Sequence, residues 1–148
     1  KNPVWKSATK VINTLVEVVA KGGNLVLGVG PTADGCIQKE AACRLDSIGQ
    51  WLKRYGKAIY NTVPTPYYQE GKLWFTADKN RRQRYAIYAL SDGEEMPSTL
   101  SWHTNVPKSV MLLGVNKRLK MTKTNDGKVT VKLPEGMKAE PFALQLNL

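Results

Sequence analysis

The stretch Gly28-Val29-Gly30-Pro31-Thr32-Ala33-Asp34-Gly35 has the glycine density of a phosphate-binding loop. It follows an apolar segment and leads toward a helical pattern. It does not match Gly-x-Gly-x-x-Gly, and no Gly-Lys-Ser/Thr closes it. Pro31 also lacks the N–H that a phosphate cradle needs there. The loop therefore reads as a structural turn at the C-terminal end of a strand. That position still bears on function, because barrels and α/β sheets place their active sites at the C-terminal ends of strands. Gly28, Gly30, Pro31 and Asp34 are the candidate residues it offers.

Other groups that could do chemistry form no evident constellation. Asp34, Glu40 and Asp46 lie near the loop and the helix after it. Glu40 suits a first helical turn, where the macrodipole favours an anion. Asp46 fits a solvated helix face, and Glu94 and Glu95 fit a turn. His103 is the one histidine, which excludes a multi-histidine metal site. It stands beside a proline-bounded turn and reads as a surface residue. Ser7 and Ser47 have no histidine near them in sequence. Cys36 and Cys43, if placed on one helix, would lie about 10 Å apart from the rise per residue. That is too far for a disulfide, so they read as free thiols. Free thiols fit a reducing compartment without excluding export.

Charge is the strongest compositional signal. The 148 residues carry 22 Lys+Arg and 12 Asp+Glu, a net charge of +10. Lys79-Asn80-Arg81-Arg82-Gln83-Arg84 and Lys117-Arg118-Leu119-Lys120 are basic clusters, with Trp74, Tyr85 and Tyr88 close in sequence. Basic residues beside aromatics can bind nucleic acid through phosphates and base stacking. No helix-turn-helix, RNA-recognition signature or zinc knuckle accompanies them. Lysines on turns and outer strand faces also protect sheet edges, and Lys128 and Lys132 fit that role. Nucleic acid is therefore not expected as a partner. Trp74, Trp102, Tyr67 and Tyr68 could instead stack on sugar, although core packing accounts for most of them.

The elements that would position these residues fall into two halves. Val11, Leu15, Val18 and Val19, with Ile12 and Val16, recur at helical steps. Ser7 or Thr9 can cap that helix, and Lys21-Gly22-Gly23 stops it. Asn24 to Val29 reads as a strand buried on both faces. Ala41, Leu45, Ile48, Leu52, Tyr55 and Ile59 define a second amphipathic helix ending near Gly56. A single buried strand cannot form a sheet, so this half is expected to be incomplete alone. Pro64-Thr65-Pro66 breaks the pattern and marks the boundary between residues 1–64 and 65–148. Beyond it the period becomes two, as in Tyr85, Ile87 and Ala89, in Val129, Val131 and Leu133, and in Phe142, Leu144, Leu146 and Leu148. Asn125-Asp126-Gly127 predicts a hairpin between Leu119–Thr124 and Lys128–Leu133. The whole reads as an α+β chain ending in a small antiparallel β-sandwich.

No apolar run approaches the ~20 residues that span a membrane, and Val11 to Ala20 is too interrupted for a signal peptide. The chain begins at Lys1 without a Met, as a processed product or a piece of a longer protein would.

Residues 15 to 35, followed by Ile48-Gly49-Gln50-Trp51-Leu52 and Gly56-Lys57-Ala58-Ile59-Tyr60, closely resemble the end of the catalytic barrel of α-L-fucosidases. The shared pattern is a helix, Gly-Gly-Asn, an apolar strand, Gly-Pro, an Asp-Gly turn, Ile-Gly-x-Trp-Leu and Gly-x-Ala-Ile-Tyr. Trp74-Phe75-Thr76 resembles a motif of the sandwich that follows that barrel. The resemblance implies a terminal helix-strand-helix segment of a (β/α) barrel in residues 1–64 and a β-sandwich domain in 65–148. It implies a parent enzyme, periplasmic or secreted, that hydrolyses α-L-fucosyl linkages of a fucosylated glycan with retention, using two carboxylates and no cofactor. None of the family's nucleophile, acid/base or fucose-gripping histidines maps onto this chain, so no catalytic residue is assigned and the chain alone is expected to be inactive. The remainder of the barrel is an implied partner. The loop from Gly30 to Gly35 would lie at the catalytic face. Many members have Asn where this chain has Gly28, which leaves backbone shaping by Gly28, Gly30 and Pro31 as the role of that stretch.

Overall fold

A computed structural model describes residues 4–148. Position 1, on which the reading of the chain's start rests, lies outside the described residues. Two helices come first, α1 at Ala8–Ala20 and α2 at Lys39–Tyr55, the latter running into a 3-10 turn at Gly56–Ala58. Ser7 caps α1, its hydroxyl accepting from the Lys10 N–H at 3.0 Å. At the other end the Gly22 N–H donates to the Val19 carbonyl and the Gly23 N–H to that of Val18, at 2.9 and 2.8 Å. This pair of bonds is a Schellman motif. Gly22 supplies its positive φ of 88°, and a Cβ there would lie 2.7 Å from Pro64 Cγ. Only glycine meets both demands.

Nine strands follow: β1 Thr62–Glu70, β2 Leu73–Asp78, β3 Gln83–Tyr88, β4 Thr99–Trp102, β5 Ser109–Leu112, β6 Lys117–Leu119, β7 Met121–Lys123, β8 Val129–Lys132 and β9 Phe142–Asn147. They form a six-stranded sheet, β1-β2-β3-β9-β5-β6, and a three-stranded sheet, β4-β8-β7. Every pairing is antiparallel. The fold is α+β, as expected. The Asn125-Asp126-Gly127 hairpin is formed, with β7 paired to β8 and the Thr124 N–H donating to the Lys128 carbonyl at 3.0 Å.

The central sheet is covered on both sides. Thr76, Tyr85 and Gln145 are register partners across β2, β3 and β9. Their row meets the helical layer, where Thr76 Oγ1 donates to the Ala58 carbonyl and Lys57 Nζ to Gln145 Oε1, both at 2.8 Å. The opposite row, Phe75, Ala86 and Leu144, is fully buried with Trp102, Val129 and Val131 of the small sheet in one core. Period-two reading assigned one apolar face to β9, but all its residues from Phe142 to Leu146 are buried, as are all of β2 from Leu73 to Ala77. The helices cover the face that the sequence pattern left to solvent. Leu148, read as part of the apolar face of β9, lies past the end of that strand and is 38% exposed.

Two local expectations are corrected. Asn24 to Val29 forms no strand. It pairs with no other segment among the described residues, and Val26 is 92% exposed. A parallel strand exists only through the ladder of its neighbours, and this chain supplies none. Pro64 and Pro66 do not interrupt structure but lie within β1, which pairs Thr62 with Asp78 and Glu70 with Leu73 around a register shift. An edge strand and a bulge are the two places where a sheet accepts proline.

Candidate functional site

The loop after the unpaired segment is held by its own polar groups. Pro31 and Ile37 make an isolated antiparallel bridge. The Thr32 N–H and hydroxyl both donate to the Cys36 carbonyl, at 2.7 and 2.8 Å, and the Gly35 N–H donates to the Thr32 carbonyl at 2.9 Å. Gly35 turns the chain with φ 82°. The Thr32 hydroxyl also bonds the Asp34 carboxylate. That bond, followed by backbone N–H groups of the turn, holds the Asp34 carboxyl below its ordinary range. Asp34 is thus an ionised acceptor near neutral pH. It can accept from a hydroxyl, and it carries no proton to give as a general acid.

Gly28, Gly30, Pro31 and Asp34 are all exposed. A Cβ built on Gly28 or Gly30 would meet nothing within 4 Å. Behind them, Trp5, Val11, Leu25, Leu27, Leu45 and Ile48 line part of an open, mainly apolar groove of about 420 Å³. Leu27 is 45% and Leu45 37% exposed. Gly28 also lines that groove, whose walls come from α1, the unpaired segment and α2, whereas Gly30, Pro31 and Asp34 lie outside it.

The remaining candidates are scattered. Glu40 lies in the first turn of α2. Asp46 is exposed on that helix and accepts from Gln50 Nε2 at 2.8 Å. Glu94 pairs with Lys72, and Glu95 is exposed. Ser7 bonds Asp92, and Ser47 donates to the Cys43 carbonyl at 3.0 Å. Cys36 and Cys43 are free and exposed. Cys36 precedes α2, so the two do not share a helix. Among the described residues, no three His, Cys, Asp or Glu side chains converge to hold a metal.

His103 is exposed, as expected, but it is anchored by a partner that local sequence did not indicate. Glu70 accepts the His103 and Thr104 N–H groups at 2.8 and 3.0 Å, and the Thr104 hydroxyl at 2.9 Å. Burial pushes the Glu70 carboxyl up. The Thr104 and His103 donors together outweigh it and hold the carboxyl below its ordinary value. The pairing spans 33 residues, and no motif marks such a contact.

The aromatic residues do not assemble into a sugar-stacking surface. Trp102 is fully buried and Trp74 is 8% exposed. Trp74 stacks under Tyr68 at 6.4 Å between ring centroids, with Lys21 Nζ 5.6 Å from its ring. Only Tyr67 and Tyr68 of that set face solvent. Nor do aromatics interleave with the basic turn, since Tyr85 is buried and Arg84 is bonded to Asn105 Oδ1 at 2.6 Å. Among the described residues no helix is long and apolar enough to cross a membrane.

Comparison with known proteins gives the chain its relatives. Residues 1–57 match the α-L-fucosidase family model. The chain is 35% identical over 130 residues to the tissue α-L-fucosidase of Bos taurus, covering 84% of this chain and 27% of that protein. It is 30% identical over 140 residues to the plasma α-L-fucosidase of Homo sapiens, covering 85% and 28%. Among solved structures, an α-L-fucosidase from Bacteroides thetaiotaomicron, trapped as a covalent intermediate with 2-fluoro-fucosyl fluoride, superposes with a TM-score of 0.84 at 27% identity. That superposition covers 97% of this chain and 33% of the other. The chain thus spans under a third of the length of the curated relatives named here.

Proposed function

We propose, since this chain belongs to the α-L-fucosidase family and is a C-terminal part of such an enzyme, that its parent protein hydrolyses terminal α-L-fucosyl linkages with retention. Retention requires two carboxyl groups, one attacking the anomeric carbon and one protonating the leaving oxygen, about 5 Å apart. The observation that carries this reading is the coincidence of family and geometry. The chain has the fold of the family's members, yet among the described residues no three His, Cys, Asp or Glu side chains converge, and its apolar groove stands open.

On this reading, the open groove is where the rest of the barrel docks. Asn24 to Val29 gains its ladder there and becomes a strand. The loop from Gly28 to Asp34 then lies at the mouth of the active site, its ionised Asp34 available to accept from a sugar or side-chain hydroxyl. Residues 1–64 close the barrel and residues 65–148 brace it from outside. The nucleophile and the acid/base lie in the preceding barrel, so the 148-residue chain by itself does not hydrolyse fucosides. The trapped covalent intermediate of the Bacteroides thetaiotaomicron relative supports the double displacement. Family membership likewise supports a fucosylated glycan as substrate and a periplasmic or secreted location.

The test is hydrolysis of an aryl α-L-fucoside by the parent protein, with the 148-residue chain run alongside. Activity in the parent alone is the expected result. Activity in the chain alone would return the chemistry to Asp34 or Glu40 and overturn the reading.

A further inference from the structure

We infer that one end of the six-stranded sheet, centred on Lys108, Arg118 and Lys120, binds an anionic polysaccharide bearing sulfate or carboxylate groups, separately from the fucoside site. Strand register brings the cations together. Gln83 of β3 and Ser109 of β5 both pair with Asn147 of β9. The turn before β3 and the residue before β5 therefore emerge at the same end of the sheet. That turn carries Lys79, Arg81 and Arg82, and Lys108 precedes β5, all exposed. Leu119 of β6 pairs with Val110, so Lys120, the next residue, falls at this end too. Lys108, Arg118 and Lys120 share an open groove of about 380 Å³ with Ser109, Leu119 and Met121.

The groove cations meet no counter-charge, and Asp78, at the head of the turn, accepts from the Gln83 N–H at 2.9 Å rather than from a cation. No acidic side chain lines the groove, and none of the six forms an ion pair among the described residues. Lys21, Arg54 and Lys72, elsewhere on the surface, each meet a glutamate. Six unpaired like charges gathered at one end repel one another and raise the local potential, which a partner of repeated negative charge relieves.

The partner is a polysaccharide rather than a nucleic acid because no aromatic side chain lines the groove for bases to stack on. Tyr60, exposed just before β1, stands at the opposite edge of the sheet from β5 and β6. Tyr85 is 2% and Trp74 8% exposed. The exposed Tyr67 and Tyr68 lie toward the Glu70 end of β1, which is opposite the end where Thr62 meets Asp78. Sulfate and carboxylate groups need only charge and N–H donors, which lysine and arginine supply. The choice of a glycan among polyanions rests on the hydrolase reading above. The groove would hold an acidic polymer while the active site trims its fucosyl ends.

The test is binding of the 148-residue chain to immobilised heparin, with neutral dextran as control. Two variants each remove three positive charges, Lys108→Gln/Arg118→Gln/Lys120→Gln at the groove and Lys10→Gln/Lys39→Gln/Lys53→Gln on the helices. Circular dichroism establishes that both are folded. The groove variant is expected to lose at least about tenfold in affinity and to show a shallower salt dependence, while the helix variant changes less than about threefold. Equal losses, absence of heparin binding at low salt, or tighter binding to duplex DNA than to heparin would each overturn the proposal. Aryl-fucoside hydrolysis by the parent protein separates the two readings. An active parent whose C-terminal chain ignores heparin removes the groove alone, and an inactive parent whose chain binds heparin through the groove removes the hydrolase reading alone.

Discussion

Trp51 Nε1 donates to the Pro141 carbonyl at 2.7 Å, joining residues 90 apart in the chain. Trp51 is 1% exposed and sits on α2, while Pro141 immediately precedes β9. One indole thus ties the helical half to the central strand of the sheet. Arg54, one turn further along α2, adds a two-pronged pair with Glu140 beside it.

Trp51→Phe keeps most of the apolar volume but leaves the Pro141 carbonyl without its donor. An unpaired buried acceptor costs about 1–3 kcal/mol, and Trp51→Ala, which also opens a cavity, costs about 3–5 kcal/mol. Urea unfolding should show both as falls in the transition midpoint, with the alanine variant the lower. A Trp51→Phe midpoint equal to wild type would show that the joint is held by packing alone.

The Glu70 carboxylate gives the fold an acid-sensitive latch. Its carboxyl is depressed in the folded state. Its contribution is therefore fully present above the ordinary glutamate value and is lost as pH falls through the depressed folded value. Glu70→Gln should lower stability at neutral pH by about 1.5 kcal/mol, the scale of hydrogen bonds to a charged group. The difference between variant and wild type should shrink in acid, below the ordinary glutamate range. A difference that stays constant from neutral to strongly acidic pH would rule the latch out.

The glycines of the first half separate by what surrounds them. Gly22→Ala meets both a positive φ and Pro64, and should cost about 2 kcal/mol or more. Gly28→Ala meets nothing and should leave chain stability within about 0.5 kcal/mol. Thermal melts of the two variants check the contrast. In the parent enzyme, Gly28→Ala is expected to raise KM for an aryl fucoside if the loop borders the sugar, with kcat changing less.

The exposed apolar segment should behave oppositely in the chain and in its parent. Val26→Asp and Leu27→Asp remove surface that is 92% and 45% exposed here, and should reduce hydrophobic-dye binding and self-association of the isolated chain. In the parent, where the segment is proposed to be a barrel strand, the same changes bury a charge and should cost several kcal/mol or abolish folding. Size-exclusion chromatography of both proteins reads the difference. A parent that tolerates both substitutions would mean that the segment stays outside the barrel.

The amino-acid sequence alone was enough to place α1 and α2 within a residue or two, because their apolar residues repeat at the period of a helix that buries one stripe. It placed the Asn125-Asp126-Gly127 hairpin because turn chemistry is local. It also carried the family motifs from Gly22-Gly23-Asn24 to Gly56-Lys57-Ala58-Ile59-Tyr60. Only the tertiary structure decided the state of Asn24 to Val29, because a run of apolar residues becomes a strand only when neighbours satisfy its backbone. It alone revealed that β2 and β9 are covered on both faces, and that Glu70 holds His103 and Thr104. It alone gathered Lys108, Arg118 and Lys120 around one groove. Each of these depends on residues far apart in the chain meeting across a sheet, and strand order and register, which set those meetings, leave no mark in the local pattern of residues.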